Sequence, residues 1–239
     1  MMLKIKSLSC GYGNMQVVNN LDMNIQKGSI TAILGANGAG KSSLIMALAG
    51  HVEIKQGEIE YDQRNITFFS PMERVKMGMA LVPEGRRLFK SLSVGENLMI
   101  GGYITTQKKI INNIEKILSI FPRLKERYKQ KAGSLSGGEQ QMLAIGRALM
   151  AEPKLLMIDE LSLGLMPKAI DVCYQVIKEL NENEGLTILL VEQSTQRSLQ
   201  VSDSIIVLES GNTIWKGSSK EAGDSSTIID AMLGLHKKD

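Results

Sequence analysis

Ser29-Ile30-Thr31-Ala32-Ile33-Leu34-Gly35-Ala36-Asn37-Gly38-Ala39-Gly40-Lys41-Ser42-Ser43-Leu44-Ile45 is the stretch whose reading decides the fold. Residues 29–34 form a short apolar run, as expected of a buried strand. The run passes straight into Gly35 to Ser42, which fits the phosphate-binding pattern G-x-x-x-x-G-K-[ST]. Lys41 to Ala49 then carries Leu44, Ile45 and Leu48 at helical spacing and stops at Gly50. Strand, glycine loop and helix in that order are the context that gives the pattern its chemical meaning. Gly35, Gly38 and Gly40 let the backbone curl so that the N–H groups of residues 35–43 (Gly35, Ala36, Asn37, Gly38, Ala39, Gly40, Lys41, Ser42 and Ser43) face phosphate oxygens. The following helix adds the partial positive charge of its N-terminus. Lys41 supplies a full charge to the outer phosphates, and the hydroxyl of Ser42 is suited to ligate Mg²⁺.

Further along, Leu155 to Ile158 is a second apolar run, and it ends in Asp159-Glu160. A carboxylate at the end of a buried strand is unfavourable unless it is paired or bound to metal. The C-terminal edge of a parallel sheet is also where α/β folds hold their ligands. Between these two segments lies Leu135-Ser136-Gly137-Gly138-Glu139-Gln140-Gln141. A serine and two glycines at the start of a helix form a second anion site, built from backbone N–H groups and one hydroxyl.

The rest of the chain fits one α/β domain. Leu3 to Leu8, Val17 to Leu21 and Glu58 to Tyr61 read as strands, as does Met79 to Val82, which ends at Pro83. Pro71 to Met77 reads as a short helix opened by proline. From about Ser93 to Lys131 the strands disappear, and Ile110, Ile111, Ile114, Ile117, Leu118 and Phe121 recur at helical spacing on what reads as core-packing faces. This predicts a helical subdomain at about 93–131, inserted into an α/β core of about 1–92 and 132–239. Gly137 to Met150 reads as a helix beginning at the Ser-Gly-Gly turn. Strands at Leu155 to Ile158 and Thr187 to Val191 then alternate with helices at Lys168 to Glu182 and Thr195 to Gln200, implying a parallel sheet. Ser204 to Glu209 and Thr213 to Lys216 form a predicted hairpin, and a helix at about 226–235 closes the chain.

Composition narrows the classes. The 239 residues carry 28 Lys plus Arg against 25 Asp plus Glu, a formal charge of +3. Nucleic-acid binding calls for a clustered basic face, and none is expected here. Cys10 and Cys173 form neither a metal-ligand spacing nor a disulfide framework, in keeping with a reducing cytosol. The opening Met1 to Lys6 alternates apolar and charged residues and lacks the apolar core of a signal peptide. No apolar run approaches the roughly 18 residues needed to span a bilayer, so any work on a membrane is expected to go through a partner.

With Leu135 to Gln141 placed between the glycine loop and Asp159-Glu160, the chain resembles the ATP-binding cassette (ABC) ATPases over nearly its whole length. The resemblance implies a P-loop NTPase core with a mainly parallel sheet, an N-terminal antiparallel β subdomain and an inserted helical subdomain. It implies ATP as substrate and Mg²⁺ as cofactor. Asp159 would hold Mg²⁺ with Ser42, and Glu160 would be the general base. Ser136, Gly137, Gly138 and Glu139 would be the signature that covers the ATP of an opposite subunit. Tyr12, in Gly11-Tyr12-Gly13, stands where the family stacks a ring on adenine. Glu84 stands at the family's Q-loop glutamine, as a catalytic and Mg²⁺-side residue, and Gln193 at its switch histidine. Ser162-Leu163-Gly164-Leu165 aligns with the D-loop, which touches the other subunit.

Glu84 within Leu81 to Phe89, together with Gln193 within Val191-Glu192-Gln193, is similar to the shorter ATPase subunit of branched-chain amino acid importers. That resemblance implies a peripheral protein on the cytoplasmic face of the membrane. Its partners would be a second cassette (a homologue or an identical copy), two permease subunits and, indirectly, an external solute-binding protein. Urea and amide importers and ABC exporters are the alternatives within transport. A soluble ABC ATPase of DNA or ribosomes is the alternative outside it; the short insert and single copy of each motif speak against that. Two positions depart from the family: Leu161 and Lys90 stand where it usually has proline. Without the ring after Glu160, the turn that aims this carboxylate is expected to be looser.

Overall fold

The computed structural model of the chain describes residues 1–224. β1 (Leu3–Tyr12) and β2 (Met15–Ile25) form a hairpin, and β3 (Ile30–Leu34) leads through the glycine loop into α1 (Lys41–Leu48). β4 (Glu53–Tyr61), the short β5 (Arg64–Asn65) and α2 (Pro71–Lys76) precede β6 (Met79–Val82). Next come α3 (Val94–Gly101), α4 (Gln107–Ile120) and α5 (Pro122–Glu126), a 3₁₀ turn at Ala132–Ser134, and α6 (Gly137–Leu149). β7 (Leu155–Asp159), α7 (Pro167–Glu184), β8 (Thr187–Val191) and α8 (Thr195–Val201) alternate as expected. β9 (Ser204–Glu209), β10 (Asn212–Ser218) and α9 (Ser219–Gly223) complete the described residues, and the helix expected over about 226–235 lies outside them.

Two sheets organise these elements. β2-β1-β4-β5 is antiparallel, with Leu3 opposite Ile25 on one side and Tyr61 on the other. The second sheet has the order β10-β9-β3-β8-β7-β6, parallel from β9 to β6, with β10 antiparallel at one edge. β1, β2 and β4 run further than their apolar residues indicated. Their outer parts carry Gln16, Asn24, Glu53 and Gln56, which a neighbouring strand holds by backbone pairing whatever their side chains prefer.

The parallel strands are apolar on both faces because both are covered. Ile30, Ala32, Leu156, Ile158, Ile188 and Leu190 pack with α3, α6 and α7. Ile33, Met157, Leu189 and Val191 pack with α1 and the antiparallel sheet. The helical insertion joins the first of these cores through Leu98, Ile114, Ile117, Phe121 and Leu124. One of its isoleucines departs from the core-packing expectation: Ile111 is 57% exposed. It lies at the exposed margin of the apolar stripe of α4, whose buried members include Ile114 and Ile117.

Arg74 fastens α1 from behind. Its side chain is buried, and it donates to Ala47 O (2.9 Å) and Leu48 O (2.7 Å) in the last turn of α1. It also donates to Phe69 O (3.0 Å), Ile66 O (3.1 Å) and Thr67 O (3.0 Å). A cation at a helix C-terminus satisfies carbonyls that have no intrahelical partner. Burial holds this guanidinium down, to a pKa of about 10, still well above neutrality. Arg74→Met is expected to lower the unfolding free energy by at least about 3 kcal/mol, because buried carbonyls lose a charged donor. Urea denaturation checks this; a loss below about 1 kcal/mol would mean that the carbonyls find other donors.

Candidate functional site

Four adjacent parallel strands, β3, β8, β7 and β6, end at the same edge of the sheet. The chain leaves them into the glycine loop, Glu192-Gln193, Glu160 and Pro83-Glu84 respectively. Pairing of Ile33 with Val191, of Asp159 with Val191 and of Val82 with Ile158 sets these exits level with one another. Segments far apart in sequence are thereby brought to one cleft of about 200 Å³, whose walls include Lys41, Ser42, Ser43, Glu84, Glu160 and Gln193. Asn37, Gly38 and Gly40 complete its glycine-loop side, with Val17 of β2 beside them. Val17 gave no sequence signal beyond that of a strand residue.

The glycine loop has the geometry its pattern predicts. Gly38 and Gly40 lie at φ +80° and +98°, conformations that side chains rarely adopt. Gly35 approaches Leu208 so closely that a Cβ would lie 2.2 Å from its carbonyl oxygen. Among the described residues, the N–H groups of Asn37, Gly38 and Gly40 find no acceptor in the chain. Such donors fit phosphate oxygens. Ala39 differs, since its N–H closes a turn onto Ala36 O at 3.2 Å. The Lys41 ammonium is buried and folds back over the loop, donating to Gly35 O (2.9 Å) and Ala36 O (3.0 Å). Desolvation lowers its pKa, opposed by Glu160, Asp159 and Glu192.

Ser42 Oγ donates to Asp159 Oδ1 at 3.0 Å, which places a hydroxyl and a carboxylate oxygen side by side. Among the described residues no three His, Cys, Asp or Glu side chains form a metal cage. Mg²⁺ needs none, because it takes one or two protein oxygens and completes its shell with phosphates and water. The residues therefore fit the ion. Burial raises the pKa of Asp159, eased by the Ser42 bond and reinforced by Glu84. Burial also raises that of Glu160, eased by a bond from Gln193 Nε2 to Glu160 Oε1 (3.0 Å) and reinforced by Glu192. The Gln193 side chain is turned toward Glu160, and the N-cap of α8, Ser194, makes no capping bond.

Tyr12 and Ser136 to Glu139 do not line this cleft. Tyr12 is 54% exposed at the end of β1. Ser136 is exposed at the N-cap of α6, where its Oγ accepts from Glu139 N (3.3 Å) and the Glu139 carboxylate accepts from Ser136 N (2.8 Å) and from Arg127. The second glycine has a packing role as well, for a Cβ on Gly138 would lie 2.5 Å from the Cβ of Ala169. Two residues without a sequence assignment stitch the site together. Arg86 donates to Gln141 Oε1 (3.2 Å) and Leu163 O (3.3 Å), linking the segment after β6 to α6 and to the loop after Glu160. Glu192, fully buried, accepts from Ser162 N (3.1 Å) and Ser162 Oγ (2.9 Å). A charge at the end of the apolar run Thr187 to Val191 was a legible signal for Glu192, by the argument that singled out Asp159.

Residues 18–162 match the family model described as ABC transporter. The chain belongs to the ABC transporter ATPases. It is 42% identical to the high-affinity branched-chain amino acid transport ATP-binding protein BraG of Pseudomonas aeruginosa, over 98% of this chain and 100% of that one. It is 38% identical to a probable branched-chain amino acid transport ATP-binding protein of Archaeoglobus fulgidus, over 98% and 99% of the two chains. A nucleotide-free ATP-binding cassette from an ABC transporter superposes with a TM-score of 0.87 at 25% identity, covering 99% of each chain. This ABC ATPase has no helix among its described residues long and apolar enough to cross a membrane.

The raised carboxylate pKa values make a stability prediction. A carboxylate whose pKa is higher folded than unfolded destabilises the fold above that pKa, and the penalty fades as pH falls through it. At pH 7 Glu160→Gln is therefore expected to raise the Tm of the nucleotide-free ABC ATPase, by about 2–4 °C for each kcal/mol relieved. The amide keeps an acceptor for Gln193. An unchanged or lower Tm in calorimetry would show that Glu160 is under no such strain.

Proposed function

We propose that this ABC ATPase is the ATP-hydrolysing subunit of a membrane importer of branched-chain amino acids, working on the cytoplasmic face of the membrane. The observation that carries the reading is full-length similarity to a branched-chain amino acid transport ATP-binding protein. Glu84 and Gln193, at the positions that define this branch in the sequence, both line the cleft.

In this reading the loop N–H groups and Lys41 hold the ATP phosphates, the ammonium exchanging the carbonyls of Gly35 and Ala36 for phosphate oxygens. Ser42 and Asp159 would hold Mg²⁺, with Glu84 beside them, and the ion when bound neutralises phosphate charge. Glu160 takes a proton from water as the water oxygen bonds to the γ-phosphorus; the bond to the bridging oxygen breaks, and ADP and phosphate leave. Gln193, bonded to Glu160, orients that water and the phosphate. An amide can donate at any physiological pH. Tyr12 offers an exposed ring for adenine.

Ser136 to Glu139 act on the ATP of an opposite cassette, a homologue or a second copy. Supporting this, they lie outside their own cleft, beginning at an exposed helix N-cap, and the exposed Leu163 and Met166 offer apolar surface on the adjoining loop. The helical subdomain of about 93–131 contributes to a groove of about 300 Å³ that includes Phe89, Ile100, Tyr103 and Arg87, with the guanidinium of Arg147 5.6 Å from the Phe89 ring centre. That groove suits the membrane permease subunits, which an external solute-binding protein would serve.

Lys41→Ala is expected to weaken nucleotide binding by at least about a hundredfold, since it removes a full charge from phosphate. Gln193→Ala should slow turnover with KM little changed. Fluorescent-nucleotide titration and steady-state ATPase assays separate the two; tight binding by Lys41→Ala would reject the phosphate assignment.

The import reading is tested by co-expressing the chain with the permease and cassette genes expected beside its own. Leucine-, isoleucine- or valine-loaded binding protein should stimulate ATPase activity of the reconstituted complex. Stimulation by urea or a short-chain amide instead would reassign the substrate class.

A further inference from the structure

We propose that Glu192 is a positioning residue, a buried clamp on Ser162 that holds Glu160 in its working geometry. The inference rests on the reading of Glu160 as general base.

Glu192 is wholly inaccessible to solvent, and among the described residues it forms no ion pair. A carboxylate in that setting is tolerated only when donors surround it. Three do: Ser162 N at 3.1 Å, Ser162 Oγ at 2.9 Å and Gln193 N at 3.3 Å. Two of the three belong to the residue just beyond Leu161, so this carboxylate ties the chain leaving β7 to the chain leaving β8. The buried hydroxyl of Tyr174 lies close by, its pKa raised first by burial and then by the charge of Glu192.

Glu160 needs such a tie. Its φ is +59°, a left-handed conformation that disfavours residues with a Cβ and persists where the surroundings over-determine it. On the upstream side its N–H donates to Val191 O at 3.0 Å, continuing the β7–β8 ladder. Downstream, Leu161 is fully buried and Ser162 is fixed by Glu192. With Leu161 there is no ring to stiffen the turn, and the Glu192–Ser162 contact performs that task. Glu192 also accepts from the backbone of Gln193, whose side chain holds the Glu160 carboxylate. Both ends of Glu160, backbone and carboxylate, thus refer to one buried group, which is how a supporting shell fixes a reacting one.

The test uses full-length protein and separates kcat from KM. Ser162→Ala removes one hydroxyl from a half-buried position and is expected to lower kcat about tenfold, with KM within about twofold. Ser162→Thr, which keeps the hydroxyl, should restore most of the rate. Glu192→Gln should lose roughly ten- to a hundredfold in kcat, and the Glu192→Gln/Ser162→Ala double variant should lose no more than Glu192→Gln alone. If Glu192→Gln does not fold, the contrast between alanine and threonine at 162 decides. Wild-type kcat in Ser162→Ala, equal losses in Ser162→Ala and Ser162→Thr, or additive losses in the double variant would overturn the clamp. Glu160→Gln, assayed alongside, keeps the two readings apart. An inactive Glu160→Gln beside normal clamp variants rejects only the clamp, whereas full turnover in Glu160→Gln rejects the base and the clamp together.

Discussion

The parallel hydrogen-bond ladder β3-β8-β7-β6 is the constraint on which the site depends. Each strand carries a run of apolar residues covered on both faces of the sheet, and parallel pairing makes all four exit at one edge. Chain direction therefore does the assembling. The glycine loop, Asp159-Glu160, Glu192-Gln193 and Glu84 meet because their strands are neighbours in register.

This assembly concentrates like charge. Asp159, Glu160 and Glu192 are buried together, with the Lys41 ammonium as the buried cation among them and Glu84 nearby. Burial alone pushes the first two carboxyls toward their neutral forms. In the proposed reading, the added negative charge of a nucleotide would be met by the glycine-loop donors, by Lys41 and by a divalent cation held on Ser42 and Asp159. On that reading the pocket serves a charged ligand while burial works against its own carboxylates.

Around the site, the connections between segments use long polar side chains on backbone carbonyls. Arg74 holds the far end of α1, and Arg147 donates to Arg86 O (3.1 Å) and Arg87 O (2.9 Å). Those two arginines adopt φ values of +65° and +43°, so the segment after Glu84 is a strained turn braced by a neighbouring helix. Arg86 in turn reaches α6 and the loop after Glu160. The groove side and the nucleotide side of the cassette are therefore joined by side chains as well as by the sheet.

The sequence by itself determined the glycine loop, the buried strands and the carboxylates that end them, because each is a local demand. Phosphate donors need glycine dihedrals, and a charge closing an apolar run needs a reason. It singled out Lys41, Ser42, Asp159 and Glu160, which the fold brings to one strand edge, and it made legible the helical character of about 93–131. Tertiary structure alone decided the length of β1, β2 and β4, where backbone pairing overrides polar side chains. It also decided that Ile111 faces solvent, that Gly138 must be small for Ala169, and that Arg86 and Glu192 tie three loops together. Hydrogen bonds between residues such as Ser162 and Glu192 depend on strand order and register, which no local pattern encodes. The missing proline at Leu161 is visible in the sequence, whereas the bonds at Ser162 that hold the turn in its place exist only once β7 and β8 lie side by side.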